Sequence, residues 1–573
     1  MAPTYYESDH VAPFLPQQSI FDYLLPSHPG VSPLPDWDPS LPAFIDASDG
    51  RTLSRADLRE NALRLKTGLN ALGVKRGNVA CLWGMNSLEY VQAVYGCLAA
   101  GVVVSPANVA YSPEELAHQI NNSGASVVFI QPALLPLLDK ARAHIKHKID
   151  PAHVILLRAT QDKELAAAGI KTIYEVYGTP AAEAEHFDGS DSLETAWLCY
   201  SSGTTGLPKG VMTTHWNLTS QLQVSNVAYE TLQSGPGGDV VMGSVPMSHI
   251  YGVTLSLLQP FSMGVPVVIL PKFEEIAALE AIQKYKITHL LLVPPLFLLF
   301  VHSKNLDKYD LSSVRTAMSG AAPLSRELSE AFLARIPTAV ALQGYGMTET
   351  TPNICTMNRS EAAGRDGWVG RLVPSYQARL VSPDTGLDVA PGEPGELWVR
   401  GPSVMKGYHN NPEATAATMA PGGWLKTGDV LVRDEHGWYK VVDRLKELIK
   451  YKGFQVPPAE LEALLIQHPH VADAGVVGVW NDAQVTEMPR AYIVPHESLK
   501  IATEGEAASF AAHVQRFVHD KVAQHKKLRG GLVILDAIPK SPSGKILRKD
   551  LRTRAGKETE PVWGATRDRE SKL

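Results

Sequence analysis

The stretch CYSSGTTGLPKGVM, Cys199–Met212, gathers three glycines, two serines, two threonines and one lysine, Lys209. Glycines let backbone N–H groups approach a phosphate closely, and serine and threonine hydroxyls add donors. It is not the Walker P-loop, because no Gly-Lys-Ser/Thr follows a glycine at that motif's spacing. On its own the stretch reads as a phosphate cradle or as a mobile surface turn. A second lysine, Lys545 in SPSGKILRK, reads on its own as a surface residue of a basic tail, since Lys540, Arg548 and Lys549 are its neighbours.

The chain that must position these residues is 573 long, too long for one ordinary hydrophobic core, so several packed units are expected. With 53 basic and 59 acidic residues the net charge is −6, which speaks against a nucleic-acid binder; the one basic run, HKKLRGG at His525–Gly531, is short. Cys81, Cys97, Cys199 and Cys355 are scattered without CxxC spacing among apolar or small neighbours, as buried free thiols would be. The start, MAPTYYESDHVAPF, lacks the basic and long apolar regions of a secretory signal. The most apolar stretch, Leu290–Val301, is too short to span a bilayer and is interrupted by Pro294–Pro295. It reads as strand, turn and helix start, and the chain as soluble, not an integral membrane protein.

The first half alternates apolar strands with amphipathic helices. GNVACLWG (Gly77–Gly84) is a strand; Leu88, Val91, Val94, Tyr95 and Leu98 then fall at helical spacing, with Gly101 as the stop. VVVSPAN, ASVVFI and HVILL continue the pattern, which implies an α/β fold of parallel sheets covered by helices. After Gly364, Pro/Gly turns separate short β-rich runs, Gln377–Val381 and Glu396–Arg400, as in a small β-subdomain. Charge is dense around Asp443–Lys450. A helix from Pro458, the strands AGVVGVW and RAYIV, a helix near Ala507–Ala523 and the strand GLVILDAIP then make a compact α+β unit. The expected division is 1–443, a hinge at 444–446, a small mobile domain at 447–562 and a tail at 563–573. The tail ends in Ser571, Lys572 and Leu573, the peroxisomal import tripeptide.

Five stretches occur in one order: YSSGTTGLPKG, GYGMTET (Gly344–Thr350), WLKTGD (Trp424–Asp429), VDRLKELIKYKGFQV (Val442–Val456) and PKSPSGKILRKDLR (Pro539–Arg552). Together they resemble the signatures of the adenylate-forming enzymes: acyl-CoA synthetases, firefly luciferases and peptide-synthetase adenylation domains. The resemblance runs from about Phe44 to Leu551. PMSHIYG and SGAAPL are most similar to the 4-coumarate:CoA ligase branch and its fungal aryl- or acyl-CoA relatives.

The resemblance implies a carboxylate attacking the α-phosphate of ATP, with Mg²⁺ as the metal and CoA as the second substrate. Both reactants are anionic, so positioning and charge neutralisation would dominate. By motif match, Ser201, Ser202, Gly203, Thr204, Thr205, Gly206 and Lys209 hold the β- and γ-phosphates, and Glu349 is the metal-side carboxylate or else a helix-start acid. Asp429 and Arg444 match the ribose and phosphate contacts. Gly320, Ala321 and Ala322 line the adenine slot, Tyr345 stacks on the ring, and Gln343, Gly344, Gly346 and Thr348 complete the nucleotide site. The catalytic lysine matches Lys545, which would bridge the carboxylate and the α-phosphate. Lys446 matches a hinge about which the small domain swings. Lys450, Gly453 and Phe454 would then serve CoA and the thiolation half, with Gln455 touching AMP and acyl group.

His249, Ile250 and Tyr251 match the acid pocket of aryl-CoA ligases, where His249 orients the carboxylate or gates the thiol path. Tyr251, Met318, Ala321, Gln343, Gly344 and Met347 form a wall suited to an aromatic or medium-length acid. One departure is TETTPNIC: Thr350 and Thr351 replace small residues, and Asn353 stands where an apolar residue is expected. A buried amide needs partners, so Asn353 reads a polar substrate group or bonds to the local backbone. The expected activity is an ATP-dependent carboxylic acid:CoA ligase, with an import receptor as partner through the tail. A carrier-protein ligase, a luciferase-like oxygenase and a catalytically dead nucleotide binder are the alternatives.

Overall fold

The computed structural model describes residues 5–158, 165, 169–201, 207–228, 232–452, 454–482, 484–496, 499–541, 544–557 and 560–565. Among them two largely parallel sheets stand side by side. The first runs, in spatial order, through Gly407–Tyr408, Lys209–Thr214, Thr195–Ser201, Val103–Ala107, Val79–Trp83, Val127–Ile130, Val154–Leu156 and Lys171–Thr172. The second runs Val340–Gln343, Thr316–Ser319, His289–Leu292, Val241–Gly243, Val267–Ile269, Pro42–Asp46 and Thr52–Ser54.

The strands read as continuous apolar runs because both faces are covered. In Val79–Trp83, Ala80 and Leu82 face the core shared with the helix Leu88–Ala99, while Val79, Cys81 and Trp83 face a second core with Leu116 and Ile120. That helix begins where the Ser87 hydroxyl accepts from the Tyr90 N–H, and it ends at Gly101, whose φ of 67° is a left-handed conformation that favours glycine. The Leu290–Val301 stretch is the strand His289–Leu292 followed by the helix Pro294–His302, as its two prolines imply. The four cysteines are free and buried. No helix among the described residues is long and apolar enough to cross a membrane.

The β-rich region is larger than its composition suggested. The strands Gln377–Val381 and Gly395–Arg400 belong to an antiparallel sheet that also takes Tyr6–Glu7 from the chain start and Tyr345–Gly346 and Asn353–Thr356 from before Gly364. The GYGMTET segment therefore passes directly from the second parallel sheet into this one. Beyond Arg444 come the hairpin Ile449–Tyr451/Phe454–Val456, the helix Pro458–Ile466 and a three-stranded sheet of Val471–Asn481, Thr486–Pro495 and Leu532–Ile534.

Candidate active site

The strands His289–Leu292, Thr316–Ser319 and Val340–Gln343 are adjacent and parallel, so their C-terminal ends share one edge of the second sheet, the usual place for a ligand in an open α/β sheet. At one side, the turn Thr348–Thr350 carries Glu349, which is 5 % exposed. Its Oε1 accepts hydrogen bonds from the Tyr408 hydroxyl (2.8 Å) and the Ser201 hydroxyl (3.1 Å). Lys209 lays its ammonium over the Tyr408 ring, 4.3 Å from the centroid. Both ends of the glycine-rich loop are thus fastened around Glu349; Ser202, Gly203, Thr204, Thr205 and Gly206 lie outside the described residues.

On the other side, the pairing of Trp424–Arg433 with Trp438–Arg444 sets Asp429 directly opposite Arg444. Asp429 is buried; its Oδ2 accepts from the Tyr345 hydroxyl at 2.7 Å and its Oδ1 lies 3.3 Å from Arg444 Nε. Burial raises the carboxyl's pKa and the Arg444 charge opposes that. One partner on each oxygen leaves acceptor capacity for two further hydroxyls.

Lys545 enters from the far end of the chain. Its turn is closed by Ser541 N–H to the Lys545 carbonyl (2.8 Å) and rests on the large domain: a Cβ on Gly544 would stand 3.2 Å from Val293. Gly544 itself has φ +78°. Desolvation pulls the Lys545 pKa down to about 8 and Arg444 adds to this, while Asp429, Glu349 and Glu447 pull the other way. His249 feels Lys545 in turn: burial, then the lysine's charge, pushes its pKa down to about 3. His249 caps the short helix Ile250–Gly252 by accepting the Tyr251 N–H on Nδ1 at 3.2 Å, which leaves the neutral ring's proton on Nε2.

The pocket residues fall into place around these groups. The Tyr251 hydroxyl donates to the Met318 carbonyl (3.1 Å), and its ring packs so closely on Gly320 that a Cβ there would stand 3.0 Å away. Gln343 accepts the Leu324 N–H at 2.9 Å and so pins the loop carrying Gly320, Ala321 and Ala322; Ala321 has φ +68°. Gly346 has no room for a side chain, since a Cβ would collide with the Pro352 carbonyl. Ile250 is buried, and Gly344, Met347 and Thr348 are partly exposed. Asn353 is buried and its amide donates to the Ser225 hydroxyl at 3.2 Å, a partner that is neither backbone nor substrate.

Lys450, Phe454 and Gln455 are not brought to Lys545. They lie exposed on the hairpin, with Lys450 opposite Gln455 and Phe454 stacked on His525 at 4.5 Å; Gly453 is outside the described residues. Lys446 is exposed in the turn before the hairpin. Three neighbours carried no signal of their own in the sequence: Tyr408, Ser225, and Glu447, which lies 3.3 Å from Arg548 and 3.7 Å from Arg444. Tyr408 and Ser225 are recognisable only through partners distant in the chain, whereas Glu447 faces Arg444 three residues away as well as Arg548. Among the described residues no group of three or more His, Cys, Asp or Glu is arranged to hold a metal.

Residues 37–409 match the family model of the AMP-binding enzyme, and residues 460–545 that of the AMP-binding enzyme C-terminal domain. The chain is 37 % identical to peroxisomal OPC-8:0-CoA ligase 1 of Arabidopsis thaliana over 511 residues, 89 % of this chain and 90 % of that protein. It is 37 % identical to 4-coumarate–CoA ligase 5 of Oryza sativa subsp. japonica over 553 residues, 94 % of this chain and 98 % of that one. The structure of O-succinylbenzoate coenzyme A synthetase from Bacillus subtilis in complex with AMP superposes with a TM-score of 0.74 at 28 % identity, over 90 % of this chain and 96 % of that chain.

Proposed function

The chain belongs to the AMP-binding enzyme family and is an ATP-dependent acid:CoA ligase, and from that premise we propose how its residues share the two half-reactions. The observation that carries the reading is the meeting of Lys545 with Asp429, Glu349 and Arg444, four charged groups from four of the five quoted stretches. In the first half-reaction the acid's carboxylate attacks the α-phosphorus of ATP and pyrophosphate leaves. Negative charge builds where the two anions meet, and the Lys545 ammonium neutralises it, an effect typically worth about 3 kcal/mol or more. Asp429 accepts the ribose hydroxyls, and Gly320, Ala321, Ala322 and Tyr345 flank the adenine. Ser201, Ser202, Gly203, Thr204, Thr205, Gly206 and Lys209 bind the terminal phosphates.

Glu349, with the Ser201 hydroxyl beside it, is an all-oxygen donor set that fits Mg²⁺, a cation that keeps most of its waters and takes one or two carboxylates. When bound, the ion adds neutralising charge at the phosphates. His249 is held neutral by burial, so it orients the acid through a hydrogen bond from Nε2 and not as a cation. In the second half-reaction the CoA thiol attacks the acyl carbonyl and AMP leaves. Because Lys450, Phe454 and Gln455 face solvent while Lys545 occupies the site, this step requires the small domain, 447–562, to turn about the 444–446 hinge at Lys446 and present the hairpin.

The acid is aromatic or of medium chain length, as the apolar wall of Tyr251, Met318 and Met347 supports. The enzyme works in the peroxisome, imported by a receptor that reads Ser571, Lys572 and Leu573, residues outside the described part of the chain; one relative is named as peroxisomal. The deciding experiment separates the halves. Lys545→Ala is expected to abolish acyl-adenylate formation and to leave thioester formation from preformed adenylate largely intact; equal loss of both halves refutes the assignment.

A further inference from the structure

The chain leaves the large domain at Asp443, the last residue but one of the strand Trp438–Arg444. Asp443 stands opposite Val430, and Val430 is the strand neighbour of Asp429. Its carboxylate is 5 % exposed, and its two oxygens serve different sides of the hinge. Oδ1 accepts the Arg444 N–H at 2.7 Å, a local contact. Oδ2 accepts the Ala459 N–H at 3.1 Å, 16 residues on and beyond the hinge. Burial pushes the carboxyl up to about 6; these two N–H donors and then the Arg548 charge oppose that, while Glu447 adds to it. A buried carboxylate is costly, and here the two donors offset the loss of water.

Ala459 is the second residue of the helix Pro458–Ile466, whose cap residue, Pro457, offers no side-chain oxygen. Pro457 and Pro458 have no N–H, so the Ala459 N–H is the first donor at that end of the helix. Asp443 caps the helix from outside the domain that carries it, and its charge faces the positive end of the helix dipole. The same helix is tied to the Lys545 turn. Glu462, three residues beyond Ala459, accepts the Val476 N–H at 2.7 Å and pairs with Arg548 at 2.7 Å. Arg548 lies three residues past Lys545 and also faces Glu447 at 3.3 Å. A continuous path of strand, cap, helix and ion pair therefore joins the strands that hold Asp429 to the turn that holds Lys545. The Ala459 N–H turns with the small domain while Asp443 stays with the large one, and a hydrogen bond weakens steeply once misaligned.

We infer that Asp443 is a positioning residue for acyl-adenylate formation: by capping the small domain's first helix across the hinge it holds Lys545 in the site, and it releases that helix when the domain turns, an inference that rests on the turning domain proposed above. The readout is a ratio of two rates measured on the full chain at saturating substrates, with 4-coumaric and decanoic acids. One rate is acyl-adenylate formation, followed by ATP–pyrophosphate exchange; the other is thioester formation from preformed adenylate and CoA. Their ratio follows the balance between the two orientations whichever predominates. Both rates come from one preparation, so any loss of folded enzyme cancels. In Asp443→Ala the ratio is expected to fall about tenfold, for the loss of a buried, charge-assisted cap. In Asp443→Asn, whose amide oxygen still accepts the Ala459 N–H, it is expected to return to within about threefold of wild type. An unchanged ratio in Asp443→Ala, or an equal fall in Asp443→Asn, overturns the inference. Lys545→Ala in the same assays shows what else falls. If it lowers adenylation alone, the turning domain stands without Asp443; if it lowers both halves equally, the turning domain and the inference fall together. No activation of either acid by the wild type overturns both as well.

Discussion

Lys545 is the group whose charge state is easiest to follow. Its ordinary pKa of 10.5 is pulled down to about 8 in the free enzyme, chiefly because the ammonium loses water, with Arg444 adding to the effect. That displacement corresponds to roughly 3 kcal/mol against the charged form. The sign follows directly: adenylation needs the ammonium, so activity is present below the folded pKa and lost as pH rises through it. Lys545 is about nine-tenths charged at pH 7 and about one-tenth charged at pH 9. For ATP–pyrophosphate exchange at subsaturating acid and ATP, kcat/KM reports the free enzyme, so it should fall about tenfold per pH unit above 8. At saturation the bound phosphates and carboxylate favour the ammonium, and the descending limb of kcat should move to higher pH. Lys545→Arg keeps its charge throughout. It should be slower at pH 7, because a planar guanidinium does not fit a point-charge site, but it should show no fall near pH 8. The four cysteine thiols do not confuse the profile, since burial pushes them all upward, Cys81 and Cys199 to about 12. A wild-type profile flat to pH 10, or a limb that persists in Lys545→Arg, refutes the reasoning.

Two further outcomes follow from the site's layout. Lys450 is exposed and away from Lys545, so Lys450→Ala should slow thioester formation from preformed adenylate at least tenfold more than it slows pyrophosphate exchange; the reverse ratio would count against a turning small domain. The Asn353 amide is committed to Ser225, so Asn353→Val should leave the order of acid preference unchanged while lowering stability by about 1 kcal/mol in urea unfolding, for the lost hydrogen bond, since the Ser225 hydroxyl keeps the Gln221 amide as a donor at 2.9 Å; a changed preference would mean that Asn353 touches the acid.

What the sequence made legible depended on the range of the interaction. Strands such as Val79–Trp83 and the helix Leu88–Ala99 declare themselves through local spacing and through punctuation by Ser87 and Gly101, so their limits fall where the pattern ends. The β-region was underestimated for the opposite reason. A two-residue strand such as Tyr6–Glu7 has no period to detect; its pairing with Gln377–Ala378 is decided by tertiary contact across most of the chain. The site divides in the same way. Glu349, Asp429, Arg444 and Lys545 are marked by the unusual stretches around them; Asp429 and Lys545 each follow a glycine in a left-handed conformation, Gly428 and Gly544. Tyr408 lies in GYHNN and Ser225 on the helix His215–Ala228, where nothing local distinguishes them from structural residues. Their importance is relational: Tyr408 matters because Glu349 is buried and needs a donor, and Ser225 because the buried Asn353 amide needs an acceptor. The acid pocket is relational too: the Tyr251 hydroxyl meets the Met318 carbonyl, at 3.1 Å, only once the helical segment after His249 packs on the strand Thr316–Ser319, which is why specificity was the part of the chemistry least visible along the chain.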